Sequence, residues 1–212
     1  MESALPPLPL AAELGVEDVA YHDGAFQFVT RDGGLLVCRP GVGLDGALPL
    51  QMVCQFLPVP HRRDAYDDSY VRYLLVSRGE LLMVVKWTPR WTLAVDPLIR
   101  TWRFTLFRST KDLNSEGALQ WTMMHQLGGR MLFLGRGHSR SFDVADFRGF
   151  EEGIYFLDDM YDNFIPRIVS SLGPRYSISD NGKWTGPPPA VDRCFMPEAL
   201  NSYYSPGVWV LA

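Results

Sequence analysis

The chain has little cysteine and little histidine, and both scarcities exclude chemistry. Its three cysteines, Cys38, Cys54 and Cys194, are far apart and odd in number. They spell neither a disulfide framework nor a CxxC metal knuckle, and they fit a reducing compartment. The four histidines, His22, His61, His125 and His138, show no HExxH, HxH or i,i+4 pairing, so no zinc or oxygenase site is expected. His125 follows an aromatic strand and reads as a satisfied sheet residue. There is no GxSxG, and the glycines near Gly135 and Gly137 lack the strand-to-helix context of a phosphate loop. The chain is therefore expected not to be an enzyme, and to carry no cofactor and no metal.

Long apolar runs are also missing. The longest uncharged stretch, Gly46 to Pro60, is 15 residues and is broken by Pro49, Pro58 and Pro60, so no membrane span is expected. The first basic residue is Arg31, and the opening MESALPPLPLAAELG has neither the charged start nor the apolar run of a signal peptide. A cytoplasmic or nuclear location follows as the expectation. The net charge of -4 removes any electrostatic reason to bind phosphate backbones, so nucleic acid is not an expected partner.

What is present is apolar and aromatic. Of 212 residues, 47% are hydrophobic and 13% aromatic, enough for a sizeable core. Nineteen Gly and sixteen Pro punctuate the chain too often for long helices and suit short strands joined by turns. Residues 1–15 read as a Pro-rich flexible leader and 16–212 as one all-β domain.

Within that domain one pattern recurs. Phe26, Phe28 and Thr30 share a period-2 face before a turn at Asp32, Gly33 and Gly34, and a second strand runs from Leu35 to Cys38. Strands from Tyr70 to Val76 and from Glu80 to Trp87 flank a turn at Ser77, Arg78 and Gly79. The segment from Thr101 to Arg108 alternates Trp102, Phe104 and Leu106 against Arg103, Thr105 and Phe107. Leu119 to His125 and Met131 to Leu134 flank Gly128 and Gly129, predicting a third hairpin tip with both glycines at positive φ. A fourth unit opens at Gly153 with IYFLDD and pairs with RYSISDNGKW near Tyr176. Strand, Gly turn, strand at intervals of about 40 to 50 residues is the signature of a β-propeller of four-stranded antiparallel blades. A β-sandwich is the competing architecture.

The run WTMMHQLGGRMLFLGRGHSRSFDVADFRGFEEGIYFLDD resembles the plant F-box-associated propeller domain of KIB type, a domain of unknown function. The resemblance rests on Trp121, Leu127, Gly128, Gly129, Leu132, Phe133, Leu134, Gly135, Ser139, Ser141, Phe147, Gly149, Ile154, Tyr155, Phe156, Asp158 and Asp159. It implies a propeller that holds a target protein while an F-box docks the adaptor of a ubiquitin ligase. Fifteen residues precede the first hairpin here, too few for an F-box, so the chain is expected to lack its own ligase arm. At about 40 to 50 residues per blade its length predicts four or five blades, a partial or small ring with open strand edges. Such an edge would admit a homodimer, and the β-prone tail Val208, Trp209, Val210 and Leu211 is expected to add as a strand.

The expected function is a protein-protein interaction module. Trp, Tyr and Arg supply specific contact area, and they concentrate in the His61–Tyr70 loop and the Trp87–Trp91 stretch. The candidate partner-binding residues are His61, Arg62, Arg63, Tyr66, Tyr70, Arg90 and Trp91, read as turn or loop positions. Blade core remains the other reading of Trp87 and Trp91. The alternative class is a carbohydrate-binding or hydrolytic propeller, suggested by the acid pairs Asp67 and Asp68, Glu151 and Glu152, and Asp158 and Asp159. Neighbours on a strand face opposite ways, however, and turn residues at strand ends explain these pairs more simply.

Overall fold

A computed structural model describes residues 15–31, 34–40, 50–55, 68–89, 101–111, 119–157, 180–185 and 191–192. It is all-β, as expected. The first sheet is an antiparallel meander of β1 (Val16–His22), β2 (Ala25–Thr30), β3 (Leu35–Pro40) and β4 (Leu50–Gln55). The second repeats that order with β5 (Asp68–Ser77), β6 (Glu80–Pro89), β7 (Arg103–Lys111) and β8 (Leu119–Met124). The third contains β9 (Arg130–Phe133), β10 (Arg140–Asp143), β11 (Gly153–Phe156), β12 (Gly182–Trp184) and β13 (Val191–Asp192).

The first two sheets match the four-stranded antiparallel expectation, and the third does not. Its order is β10-β9-β11-β12-β13, five strands, with β11 parallel to β9. The third sequence unit also divides between sheets. β8 pairs with β7, whereas β9 pairs with β10 and β11, so Gly128 and Gly129 connect two sheets instead of tipping a hairpin. Both do have positive φ, 65° and 76°. A hairpin tip was expected because two apolar runs around Gly-Gly look like a paired unit, but local spacing does not choose a strand's partner. His125 lies just past β8 and is exposed, so it is not a sheet residue. The fourth unit pairs as expected, with Ile154 opposite Trp184 and Tyr155 opposite Lys183.

Turn chemistry sets the register of the first two sheets. The β1–β2 and β5–β6 hairpins each turn on two residues, Asp23 and Gly24 at φ 51° and 72°, and Arg78 and Gly79 at φ 51° and 76°. Two successive positive φ angles make the type I′ turn, whose twist matches that of the flanking strands. At the β2–β3 turn, Thr30 Oγ1 accepts the Gly34 N–H at 3.0 Å and the Thr30 N–H donates to the Gly34 carbonyl at 2.9 Å.

The sheets stack face to face, with the second in the middle. Its strands alternate, so one set of side chains faces each neighbour. Leu74, Leu81, Met83, Val85, Trp87, Phe107 and Trp121 pack on Ala25, Val29, Leu35 and Val37 of the first sheet. Tyr73, Leu75, Leu82, Val84, Phe104 and Leu106 pack on Leu132, Ile154 and Phe156 of the third. Each such buried side chain contributes roughly 1.5 to 3 kcal/mol. This double-sided burial is why β5 and β6 read as continuous apolar runs.

Candidate functional site

Where the second sheet faces the first, the end of the β5–β6 hairpin remote from its Arg78–Gly79 tip carries a stack of aromatic rings and guanidinium groups. Tyr70 lies near the start of β5, opposite Trp87 near the end of β6, their ring centroids 5.2 Å apart. The Arg103 guanidinium lies 4.8 Å from the centroid of Trp87 and 4.7 Å from that of Trp102, between the two indoles. On the other side the Arg72 guanidinium lies 4.6 Å from the Tyr70 ring. The order is therefore Trp102, Arg103, Trp87, Tyr70, Arg72. Trp87 donates its Nε1–H to Thr105 Oγ1 at 3.0 Å, and its carbonyl accepts the Trp102 N–H at 3.2 Å. The first bond fixes the Trp87 indole and the second the Trp102 backbone, while the outer indole, Trp102, rests on the Arg103 guanidinium and is 37% exposed.

The inner end of the stack is a buried ion pair. Arg72 is fully buried and donates from Nη1 to Glu17 Oε2 at 3.0 Å and towards the Thr30 and Arg31 carbonyls at 3.3 Å. Burial pushes the Glu17 carboxyl above its ordinary range, and the charge and hydrogen bonds of Arg72 oppose that shift. The pair ties the first strands of two sheets together.

Other polar contacts also cross between sheets. Lys86 on β6 lies 3.4 Å from Asp180, ahead of β12, and Asp180 accepts the Thr101 N–H at 2.8 Å and its hydroxyl at 2.6 Å. At the tip end the ring of His22 bonds the Gly79 carbonyl at 2.9 Å, Ser77 and Ser141 share a hydroxyl bond of 2.7 Å, and Arg78 pairs with Asp143.

Among the seven residues expected to bind a partner, Tyr70 is described, and it lies on β5, half-buried against the core. His61, Arg62, Arg63, Tyr66, Arg90 and Trp91 fall outside the described residues, as do the tail residues Val208 to Leu211. The strand bounds at Tyr70 and Trp87 and the blade-core reading of Trp87 hold, and the turn or loop reading of these two as contact residues does not, because the hairpin extends to Asp68 and Pro89 and takes both into the ladder. Trp87 is blade core, 6% exposed. The ladder nonetheless begins and ends at the segments 56–67 and 90–100 that carry the other six. Sequence reading missed Trp102 and Arg103 as surface residues. Their signal was the doubled Trp-Arg pattern of RWT at Arg90 and TWR at Thr101.

The acid pair Glu151 and Glu152, just ahead of β11, splits between two partners. Glu151 pairs with Lys183, whose hydrogen bond and charge hold its carboxyl below the usual range, while Glu152 accepts the Gly129 N–H at 2.6 Å. Among the described residues no group of three or more His, Cys, Asp and Glu could hold a metal ion, and no helix is long and apolar enough to cross a membrane.

Stacked sheets with paired first strands raise the question of family, and one comparison decides it. The model of the KIB1-4 beta-propeller family matches residues 6–181. The chain belongs to that family. No curated protein and no solved structure matches it. The three sheets are accordingly blades of a KIB-type propeller, and the described part is a partial ring. β1 and β5 begin their blades, and the Glu17–Arg72 pair joins them where blades converge. The Tyr70–Trp102 stack belongs to the loop end of the second blade.

Proposed function

We propose that this KIB-type propeller is a protein-interaction module whose contact surface is the loop end of the second blade, centred on Trp102. The observation carrying this reading is the exposed indole of Trp102: it is 37% exposed, rests on the Arg103 guanidinium, and rises from a backbone bonded to the Trp87 carbonyl. Interface hot spots are enriched in Trp, Tyr and Arg, and a side chain ordered in advance loses little entropy on binding. Tyr70 belongs to the same stack, and His61, Arg62, Arg63, Tyr66, Arg90 and Trp91, outside the described residues, are proposed as further partner-binding residues by their side-chain types alone. In this reading the propeller holds its partner in the cytoplasm or nucleus and performs no catalysis.

A sugar could also stack on an exposed indole, so the test separates the two. Affinity purification from native extract with the wild-type chain and with Trp102→Ala should recover a protein that the variant loses. Recovery of the same proteins by both, or glycan-array binding that depends on Trp102 with no protein partner, would overturn the reading.

A further inference from the structure

The fully buried guanidinium of Arg72 is used along one side only. Its bonds to Glu17 Oε2 and to the Thr30 and Arg31 carbonyls, at 3.0 to 3.3 Å, all leave from Nη1. Nε and Nη2 are buried and, among the described residues, have no hydrogen-bond partner. Those two nitrogens share an edge of the guanidinium plane. Their N–H groups point the same way, as the fork that takes a carboxylate or a phosphate through two parallel bonds. The Tyr70 ring, its centroid 4.6 Å from Cζ, offers a π face and not an acceptor atom. Burying a charged group with donors unpaired is costly, and native proteins satisfy such donors with water or a ligand where the chain supplies no acceptor.

The charge around the fork points to an anion. Glu17 is the acid paired with Arg72, and the charge of Arg136, in the turn between β9 and β10, bears on the same carboxylate. The Arg31 carbonyl accepts from Arg72, and the Arg31 side chain lies over Gly15, its Cδ 3.1 Å from where a Cβ there would stand. The neighbouring acid, Asp18, is engaged with the N–H groups of Leu74 and Gly137. Arg72, Arg31 and Arg136 thus converge on Glu17, with the second carboxylate turned to backbone donors. Glu17 is partly exposed and Tyr70 half-buried, so a side-chain rotation, with the blades in place, opens the fork to solvent.

We infer that the seam between the first and second blades holds a small oxyanion, a carboxylate or a phosphate, on the Nε–Nη2 edge of Arg72, with Arg31 and Arg136 supplying the surrounding positive charge. The site lies at the inner end of the stack whose outer end is Trp102, and it stands without the protein-partner reading. Lysine does not replace Arg72 there, since an ammonium is a point charge with no fork. The bound anion pairs the donors that the fold leaves unused beside the Glu17 link from β5 to β1. Because the folded seam builds the site, binding stabilises the folded chain by mass action.

Thermal unfolding and isothermal titration of the full chain test this, with sodium phosphate, sodium acetate and sodium chloride compared at pH 7 and equal ionic strength. Phosphate or acetate should raise the melting temperature saturably and titrate as one site, and chloride should do neither. A response to phosphate alone assigns phosphate chemistry, and a response to acetate assigns carboxylate chemistry. Arg72→Lys should weaken binding about tenfold or more, through loss of the bidentate charge-assisted pair. Arg136→Gln changes an exposed residue outside the buried pair, so it reads the site even where Arg72→Lys does not fold. It should weaken binding about threefold, through loss of one nearby charge. No saturable response to either oxyanion, a response that chloride matches, or an affinity unchanged in a folded variant would each overturn the inference. The readout uses no protein partner, so its failure is a separate result from failure of the Trp102 surface.

Discussion

The carboxylate of Asp18 on β1 accepts the backbone N–H of Leu74 on β5 at 2.7 Å, a side chain standing in for a strand neighbour across two blades. Its other oxygen accepts the N–H of Gly137, in the turn that follows β9, so one buried residue touches all three blades. Asp18→Leu would leave both N–H groups without this acceptor, at a cost of about 1 to 3 kcal/mol for each buried donor. Denaturant unfolding should show a loss on the order of 3 kcal/mol. A loss below about 0.5 kcal/mol, the usual range for surface substitutions, would mean that the blades are not joined here.

Gly129 sits at φ 76° with the Arg78 guanidinium 3.7 Å from where a Cβ would lie. Space is adequate, so backbone strain decides the outcome. Gly129→Val should cost roughly 1 to 3 kcal/mol, seen as a lower melting temperature. An unchanged melting curve would show that the link between β8 and β9 relaxes without penalty.

Glu17 gives a pH dependence whose sign is fixed by burial. Its carboxyl is raised above the ordinary 4.5, so its contribution to stability is fully present below that value and is lost as pH rises through the raised folded value. The folded state thus increasingly penalises wild-type Glu17 as pH rises from the ordinary 4.5 through the raised folded value. Glu17→Gln cannot ionise. The stability difference between the two proteins should therefore move towards the variant over that range in parallel urea titrations. A difference that is flat, or that moves towards wild type, would show that Arg72 outweighs burial.

Local patterns were legible and long-range partners were not. Alternation around Gly34 and Gly79 identified the β2–β3 and β5–β6 hairpins, and the Ile154–Trp184 pairing followed from two short β-rich runs. The Asp23–Gly24 dipeptide was an available hairpin signal that went unread, so β1 was missed as its own strand. β4, Leu50–Gln55, was missed although Pro49 and Pro58 flank it, because no Gly turn joins it to β3 in a short hairpin. The split of β8 from β9 and the parallel β9–β11 pairing depend on tertiary packing. Asp18 and Leu74 are 56 residues apart, and no spacing rule links them. Sequence drew attention to Trp and Arg in this stretch but missed Trp102 and Arg103, since Arg103 enters between Trp87 and Trp102 only after β6 and β7 pair.

The most direct test of the interaction reading is the affinity of the recovered partner for three purified forms of the chain, measured by isothermal titration. Trp102→Ala should weaken binding by about tenfold or more, since truncating a hot-spot residue costs roughly 2 kcal/mol. Met123→Ala, which truncates a residue 47% exposed on β8, should bind as wild type does. Equal affinities for wild type and Trp102→Ala would contradict the placement of the contact surface at the loop end of the second blade.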